Sequence, residues 1–325
     1  MRSLTFTIAL AVAAVLAMGP VSWLAATEPL GQSAEDAQPP EKEVPKDADT
    51  NDAKSLFNLA TKTVGGTQLW TDHLYRDGFR IQQHALTHHW RLLDPNDVRR
   101  AWGTRQQCEA VLDQEYPEQP ASESPQRVVV LLHGLLRTHH SMKSLDRVLE
   151  DHGYSAIRFS YASTRSSMSD HAVALRTVVE DLPANAELWF VGHSMGNIVI
   201  RHMIGDLQRD NDPHNILPRC HSMVMLGPPN QGAAIARRLA RTGLYGWITG
   251  TGGLELGPKW DQFAQNLATP PFPFAIIAGD LSQSRVQNPL VDGSSDFVVS
   301  VEEASLEGAE WVKTVPVLHL SLIHI

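Results

Sequence analysis

From Gln126 onward the sequence alternates short apolar runs with amphipathic stretches, and this alternation limits the possible folds more than any other feature. The apolar runs are bounded by Gly, Pro or polar clusters and have the length of strands. They are Val128–His133, Ser155–Tyr161, Leu188–His193, Ser222–Gly227 and Phe274–Gly279. Between them, apolar residues recur at the spacing of one helix face. The succession predicts an α/β fold, a mostly parallel sheet with helices on both faces.

The residues before position 55 divide into an apolar and a polar segment. Residues 1–26 carry one basic residue, a long apolar stretch and then small residues at Ala25 and Ala26, a pattern typical of a signal peptide. Because apolar character continues through Trp23, an uncleaved membrane anchor is the alternative. Residues 27–54 are rich in Pro and acidic residues and predict a disordered linker. Both interpretations of residues 1–26 predict an exported protein, periplasmic or extracellular. The anchor would also associate the protein with a membrane.

Residues 55–126 form an N-terminal subregion that precedes the α/β domain at 127–325. The alternating pieces Phe79–Leu86 and Thr87–Asp94 predict short strands, and a helix is expected around Arg105–Leu112.

The composition excludes a nucleic-acid partner. Apolar residues make up 42% of 325 residues, which is enough for a sizeable core. The formal net charge is −9 and no Lys/Arg-rich run offsets it, whereas phosphates require a basic face. Two cysteines, Cys108 and Cys220, fit an oxidising compartment, and whether they pair is left open.

Two patterns that could suggest a metal or a nucleotide lack the spacing of such a site. The pairs His88–His89 and His139–His140 have no further Cys, His or Asp at ligand spacing, so no metal is expected. The glycine-rich Thr249–Gly253 is not followed by the Lys and helix of a phosphate loop. We therefore expect no cofactor.

A G-x-S-x-G sequence lies in Val191–Gly196, where an apolar run ends and an amphipathic stretch begins. A serine on such a tight strand-to-helix turn has a strained backbone that exposes its hydroxyl, and only glycine fits at Gly192 and Gly196. The helix N-terminus would stabilise the oxyanion that forms when Ser194 attacks a carbonyl. An ordinary turn is the alternative for a lone motif, but its place at a strand end favours a nucleophile.

A second motif, Leu132–Leu136, follows the first predicted strand. Oxyanion stabilisation requires two N–H donors from different segments, and a loop containing Gly134 can bring the second one close. We expect the donors to be the backbone amides of Leu135 and Met195. Each motif alone fits a plain turn, but their joint occurrence at two strand ends favours a catalytic site.

These motifs resemble those of the bacterial lipase and serine-esterase branch of the α/β-hydrolases, a branch that also includes deacylases of lipid-anchored glycans. The similar pieces are LLHGLL, VGHSMG, MLGPPNQGA and DFVVSVEEASLEG, between Val128 and Gly308. The resemblance implies an α/β-hydrolase fold and an ester or lipid substrate. Relatives usually carry Asp-Gly where this chain has Asp296-Phe297.

The acid and the base of a catalytic triad follow the serine in the order Asp, His in this fold. Asp296 matches the family's register and is favoured over Asp292, whose surroundings are typical of a turn. His319 ends the apolar segment 315–318, where a strand would deliver it to the same sheet edge. The predicted triad is Ser194, Asp296 and His319, with His319 as proton acceptor and donor and Asp296 orienting its imidazole.

The predicted function is a serine hydrolase that cleaves carboxylic ester bonds through an acyl-enzyme. An acyltransferase or thioesterase with the same triad is the alternative, as is a catalytically silent binding module, which would not need all three positions. Substrate choice is expected to depend on the segment Asn230–Pro271, where Arg, Gly and apolar residues mix, but fold analogy alone does not name the substrate.

The last six residues, Leu320–Ile325, are those that translation of the end sequence of a transposase adapter would give. We therefore expect the natural chain to continue past His319, and we assign no role to His324. Relatives usually place a helix after the base. Because chain ends are poorly ordered unless something holds them, a protein that stops here is expected to be less stable and less active.

Overall fold

The computed structural model describes residues 61–63, 68–117, 124–240, 244–284 and 288–324. The predicted signal peptide or anchor and the linker lie outside the described residues. Among the described residues, no helix is both long and apolar enough to cross a membrane.

The described part of the N-terminal subregion contains an antiparallel sheet of five strands and one helix. In chain order the strands are β1 (Thr61–Lys62), β2 (Trp70–Arg76), β3 (Phe79–His84), β4 (Trp90–Leu93) and β5 (Val98–Gly103). Their spatial order is β1-β5-β4-β3-β2. Helix α1 (Arg105–Glu115) begins after Thr104, whose hydroxyl accepts from the Gln107 N–H in a capping box. The two predicted strands and the helix are confirmed, whereas β2 and β5 were not predicted because charged residues interrupt their apolar pattern.

Within the described residues the second sheet has six strands, all parallel, where the sequence predicted a mostly parallel sheet. They are β6 (Arg127–Leu132), β7 (Ser155–Phe159), β8 (Glu187–His193), β9 (Cys220–Leu226), β10 (Phe274–Gly279) and β11 (Trp311–Val315). The spatial order is β11-β10-β9-β8-β6-β7. The connection that leaves β6 leads to β7 on one side of the β6–β8 pair, and the connection that leaves β8 leads to β9 on the other side. The two connections therefore run in opposite directions. The crevice that opens at the carboxyl ends of such a strand pair is the usual ligand site of a parallel sheet.

Helices cover both faces of this sheet. In chain order they are α2 (Lys143–Asp151), α3 (Met168–Glu180), α4 (Met195–Arg209), α5 (Ala234–Ala240), α6 (Leu244–Leu256), α7 (Trp260–Ala264) and α8 (Val301–Ala304). Alternate residues of β6 enter two different cores: Val130 packs in the cluster that contains α3 and α4, and Leu131 in the cluster that α2 covers. The predicted layering is therefore confirmed.

One sequence expectation differs from the structure, and one question that the sequence left open is answered by it. The last strand was expected at 315–318, but it spans Trp311–Val315, and residues 316–318 form the bend that leads to His319. The cysteines do not pair: Cys108 lies in the core of the N-terminal sheet, and Cys220 begins β9 with its thiol donating to the Ile216 carbonyl oxygen at 3.3 Å. Burial raises the pKa of each thiol to about 12.

The last described segment, His319–His324, is a 3-10 helix. Leu322 and Ile323 are buried against the α2 face of the sheet, and the Ile323 carbonyl oxygen accepts from the Ser144 hydroxyl at 3.2 Å. These contacts hold the residues after His319 to the sheet.

The two sheets meet where β2 runs beside the chain that follows β7. The Asp72 amide donates to the Ser160 carbonyl oxygen at 2.9 Å, and the Ser160 amide donates to the Asp72 carboxylate at 2.7 Å. Next to this pair, the Ala162 amide donates to the Thr71 hydroxyl at 3.2 Å. Asp72 is fully buried, and burial raises the pKa of its carboxyl group.

Candidate active site

Ser194 lies between β8 and α4 with φ 53° and ψ −123°. A non-glycine residue in such a conformation costs on the order of 1–3 kcal/mol and persists only where its surroundings hold it. The Ser194 amide donates to the Leu226 carbonyl oxygen at 2.8 Å, and the Asn197 side-chain amide donates to the Ser194 carbonyl oxygen at 3.0 Å. The Ser194 hydroxyl does not cap the helix, so it is not engaged by the α4 backbone.

The two glycines of the motif stand where a side chain has no room. A Cβ on Gly192 would lie 2.3 Å from the Asn197 side-chain oxygen, and a Cβ on Gly196 would lie 2.7 Å from the Leu132 carbonyl oxygen. Both distances are far below van der Waals contact. The close approach of β6 to the first turn of α4 therefore depends on Gly196.

The loop after β6 passes directly beside Ser194. A Cβ on Gly134 would lie 3.0 Å from the Cβ of Ser194. Neither the Leu135 amide nor the Met195 amide donates a hydrogen bond to any described residue. Two N–H groups from different segments, neither of which donates a hydrogen bond to a described residue, thus lie beside the serine. Stabilising an oxyanion requires such a pair of donors.

Asp296 and His319 form a buried pair. The Asp296 Oδ2 lies 2.6 Å from the His319 Nδ1, and the two side chains are 1% and 5% exposed. The other carboxylate oxygen accepts from the amides of Val298 and Val299 at 3.0 and 2.8 Å, and the His319 amide donates to the Asp296 carbonyl oxygen at 2.9 Å. The carboxylate is therefore held in one orientation, and its bond assigns the imidazole proton to Nδ1.

Asp292, the alternative acid, does not approach His319. Its side chain is 81% exposed and forms an ion pair with Arg238 at 2.5 Å. The structure therefore brings Asp296, and not Asp292, to the histidine.

Ser194 and His319 are neighbours at the end of β9 but are not hydrogen-bonded. Ser194 is held by Leu226, and a Cβ on the next residue, Gly227, would lie 2.9 Å from the His319 ring. The His319 Nε2 is buried and has no partner within the described part of the chain. Hydrogen bonds between a nucleophile and its base are often open without substrate, so this nitrogen remains a candidate proton acceptor.

The strand order and a family match identify the type of domain. The strand that precedes Gly134 neighbours the strand that precedes Ser194, and the strands before Asp296 and His319 follow towards one edge. Residues 122–244 match the family described as "Putative serine esterase (DUF676)". This domain has the α/β-hydrolase fold. The match includes the loop after β6 and Ser194 and ends before Asp296 and His319, and it confirms the predicted resemblance to serine esterases.

Solved structures of a lipase, a carboxyl esterase and a phospholipase are similar to this chain. No curated protein matches the chain. The lipase BlEst2 of Bacillus licheniformis in its mature form is similar at 18% identity, with 63% of this chain and 90% of that chain covered and a TM-score of 0.47. The metagenomic carboxyl esterase MGS0156 is 16% identical, with 63% and 68% covered and a TM-score of 0.41. The phospholipase PlaB of Legionella pneumophila is 20% identical, with 56% and 45% covered and a TM-score of 0.43.

Phe297, at the position where the resemblance implies glycine, has φ 86°. This is the left-handed region that glycine adopts without steric cost, so the substitution leaves a strained phenylalanine next to the acid. The Asn288 side-chain amide donates to the Phe297 carbonyl oxygen at 2.7 Å and helps to hold the turn.

Several further histidines lie buried near the candidate site. The His193 Nε2 donates to the His319 carbonyl oxygen at 3.0 Å, and burial lowers the pKa of His193 to about 3. The His133 ring stacks on Tyr161 with centroids 4.1 Å apart, and burial lowers the pKa of His133 to about 4. Both rings are therefore neutral at pH 7 and support the site by packing and hydrogen bonding.

One group resembles a metal site more than the sequence suggested. Asp97 adds a third side chain to His139 and His140, and their ligand atoms lie within 4.8 Å of one another. However, the Asp97 carboxylate already pairs with the Arg80 guanidinium. Burial, and next the charge of Arg80, lower the pKa of His139 well below its usual range. Surroundings that disfavour a proton on this ring also disfavour a bound cation, so we assign no metal to this group.

One cavity is remote from Ser194. It measures about 580 Å³ and is lined by Tyr75, Val128 and Ser155 among others. Val128 and Ser155 stand at the amino ends of β6 and β7, whereas Ser194 follows the carboxyl end of β8. The cavity is therefore not the candidate site.

Sequence reasoning missed Asn197, which is fully buried and holds the turn through its side chain. The sequence feature that could have indicated its role is a single asparagine among the apolar residues of the first turns of α4. Buried amides in such places must have hydrogen-bond partners, and here the partners are the carbonyl oxygens of Ser194 and Leu226.

Proposed function

We propose that this hydrolase cleaves carboxylic esters, with Ser194 as nucleophile, His319 as general base and acid, and Asp296 as the group that orients His319. The observation that carries the proposal is the buried 2.6 Å contact between Asp296 and His319 at the sheet edge where Ser194 has its strained backbone. A carboxylate, an imidazole and a serine in this relation are the parts that acyl transfer requires.

In the acylation step the Ser194 Oγ attacks the ester carbonyl carbon while the His319 Nε2 takes the hydroxyl proton. The carbonyl electron pair moves to its oxygen, which accepts hydrogen bonds from the amides of Leu135 and Met195. Asp296 stabilises the imidazolium. When the carbonyl re-forms, the bond to the alcohol oxygen breaks and His319 gives its proton to the leaving alcohol.

In the deacylation step water replaces the alcohol. His319 takes one proton from the water as its oxygen attacks the acyl carbon. The bond to the Ser194 Oγ then breaks, and His319 returns the proton to that oxygen. The products are a carboxylic acid and the starting enzyme.

We propose that the segment between β9 and β10 selects the substrate, because part of it lies against the nucleophile's surroundings. A Cβ on Gly252 would lie 2.8 Å from the Ser163 carbonyl oxygen and 3.2 Å from the Met195 sulfur. A Cβ on Gly250, with φ 62°, would lie 1.7 Å from the Thr164 carbonyl oxygen. Glycines thus let α6 approach the loops around Ser194, where it would form one wall of an acyl or alcohol pocket.

The test combines a fluorophosphonate probe with a series of p-nitrophenyl esters of increasing chain length. Wild-type protein should be labelled and should turn over esters, and Ser194→Ala should lose both while remaining folded. Ser169→Ala, which changes an exposed serine, is the matched control and should behave as wild type. Retained turnover in Ser194→Ala would contradict the proposal.

The same assay separates the alternatives. A thioesterase would prefer an acyl thioester, and an acyltransferase would give more alcohol ester than free acid when an alcohol acceptor is added. A silent binding module would show neither labelling nor turnover.

We further propose that the protein is exported through residues 1–26. Fractionation of cells that express the full chain tests export, and N-terminal sequencing of the recovered protein separates a cleaved signal peptide from an anchor.

A further inference from the structure

Gln68, just before β2, connects the N-terminal subregion to the oxyanion loop, which we define as residues 133–137. The Gln68 Nε2 donates to the Arg137 carbonyl oxygen. The Gln68 Oε1 accepts from the hydroxyls of Ser163 and Thr164 at 2.8 and 3.3 Å. One side chain therefore bridges the oxyanion loop and the chain that follows β7.

Ser163 completes the bridge from the other side. The Leu136 amide donates to the Ser163 Oγ at 3.2 Å, while the hydroxyl proton of Ser163 points to Gln68. Ser163 is fully buried. Because it accepts from one residue and donates to the other, loss of either neighbour leaves a buried hydroxyl with an incomplete set of hydrogen bonds.

The oxyanion loop needs such support because its backbone is strained. Leu136 has φ 61°, and its side chain is 37% exposed, so packing contributes little to holding it. A leucine in the left-handed region is disfavoured relative to the ordinary conformation, because its Cβ approaches the following carbonyl oxygen. Without its hydrogen bonds the loop would relax, and the neighbouring Leu135 amide would change direction.

The loop that carries Ser163 is in turn anchored by the N-terminal sheet. Asp72 exchanges two hydrogen bonds with Ser160, and Thr71 accepts from the Ala162 amide. Asp72, Thr71 and Gln68, which lie on β2 or just before it, thus each form hydrogen bonds with residues of the segment 160–164. The N-terminal sheet supplies none of the proposed triad. However, it contacts the hydrolase domain at the segment whose Ser163 supports the oxyanion loop.

We infer that Gln68 and Ser163 are positioning residues that aim the Leu135 amide at the oxyanion of the reaction. The inference rests on the proposed function. It gives the N-terminal subregion a role: the subregion sets transition-state stabilisation without touching the substrate.

The test compares Gln68→Met, which keeps the side-chain volume and removes both hydrogen-bonding atoms, with Gln83→Met. Gln83 is half-buried on β3 of the same sheet and serves as the matched control. Loss of a direct oxyanion donor costs about 10²–10³ in kcat. A displaced donor should cost less, so we expect kcat of Gln68→Met to fall about 10- to 100-fold, with KM changed less than about twofold.

A second readout separates positioning from folding. A trifluoromethyl ketone with the acyl chain of the best ester forms a tetrahedral oxyanion on Ser194, and its inhibition constant should rise by about the same factor as kcat falls. Ser163→Ala should reproduce both changes. Combining it with Gln68→Met should add little, because the two residues act through one loop. Fluorophosphonate titration counts the active sites, so all rates refer to folded enzyme.

The outcomes are distinct. If wild type is active and Gln68→Met matches Gln83→Met in kcat and inhibitor affinity, the positioning role is wrong and the proposed function stands. Independent, additive losses in the double variant would also overturn it. If wild type neither turns over esters nor binds the ketone, the proposed function fails, and this inference fails with it.

Discussion

Lowering the pH from 7 to 5 should destabilise the folded protein, because buried histidines are held in their neutral form. His133, His171 and His193 are at most 1% exposed. Burial lowers the pKa of His133 to about 4 and that of His171 and His193 to about 3, from the 6.5 of an exposed histidine. Below pH 6.5 the unfolded chain therefore binds protons that the folded chain does not.

Proton linkage gives the direction and the size of the change in the free energy of unfolding. Stability from these groups is present above pH 6.5 and is lost as the pH falls from 6.5 towards 4 and 3. Between pH 7 and 5 each histidine should contribute a loss of about 2 kcal/mol, and the three together about 6 kcal/mol. Domains are stable by only about 5–15 kcal/mol, so the loss is large.

Urea unfolding followed by tryptophan fluorescence at pH 7 and pH 5 measures this difference. His171→Leu removes one of the three groups and should reduce the pH-dependent loss by about 2 kcal/mol. His221→Leu, at an exposed position on β9, is the matched control. Equal free energies of unfolding at the two pH values would refute the reasoning, as would an unchanged pH dependence in His171→Leu.

Two further predictions concern the acid loop. Asp296→Asn should lower kcat by about three to four orders of magnitude in the ester assay, because the imidazole loses its orienting charge. Asp292→Asn, at an exposed position, should change kcat less than about twofold. A larger loss in Asp292→Asn than in Asp296→Asn would contradict the assignment. Phe297→Val should lower the free energy of unfolding by about 1–2 kcal/mol, because a β-branched residue tolerates φ 86° poorly, whereas Phe297→Gly should stay within about 1 kcal/mol of wild type. Equal stabilities of the two Phe297 variants in urea unfolding would show that the turn is not strained.

Features that depend on neighbouring residues were predictable from the sequence. The strands β6 to β10 were placed to within two residues at either end because each is a mainly apolar run with clear breaks. The turn at Ser194 was predicted because a glycine pattern at a strand end is a local signal. In contrast, β2 was missed because Asp72 lies within it, and the reason for a buried carboxylate there is its bonding to Ser160, 88 residues away.

The sequence by itself determined the α/β pattern, the place of Ser194 at a strand-to-helix turn and the loop after β6, since these follow from residues within a few positions of one another. Only the tertiary structure decided which strands are neighbours, which aspartate meets His319, that the cysteines stay apart, and that Gln68 supports the oxyanion loop. The reason is physical: each of these depends on contacts between segments far apart in the chain, such as the 23 positions between Asp296 and His319 and the 95 between Gln68 and Ser163. Such contacts form only when the strands have packed into one sheet, because packing and burial then select one arrangement among the many that the same local pattern allows.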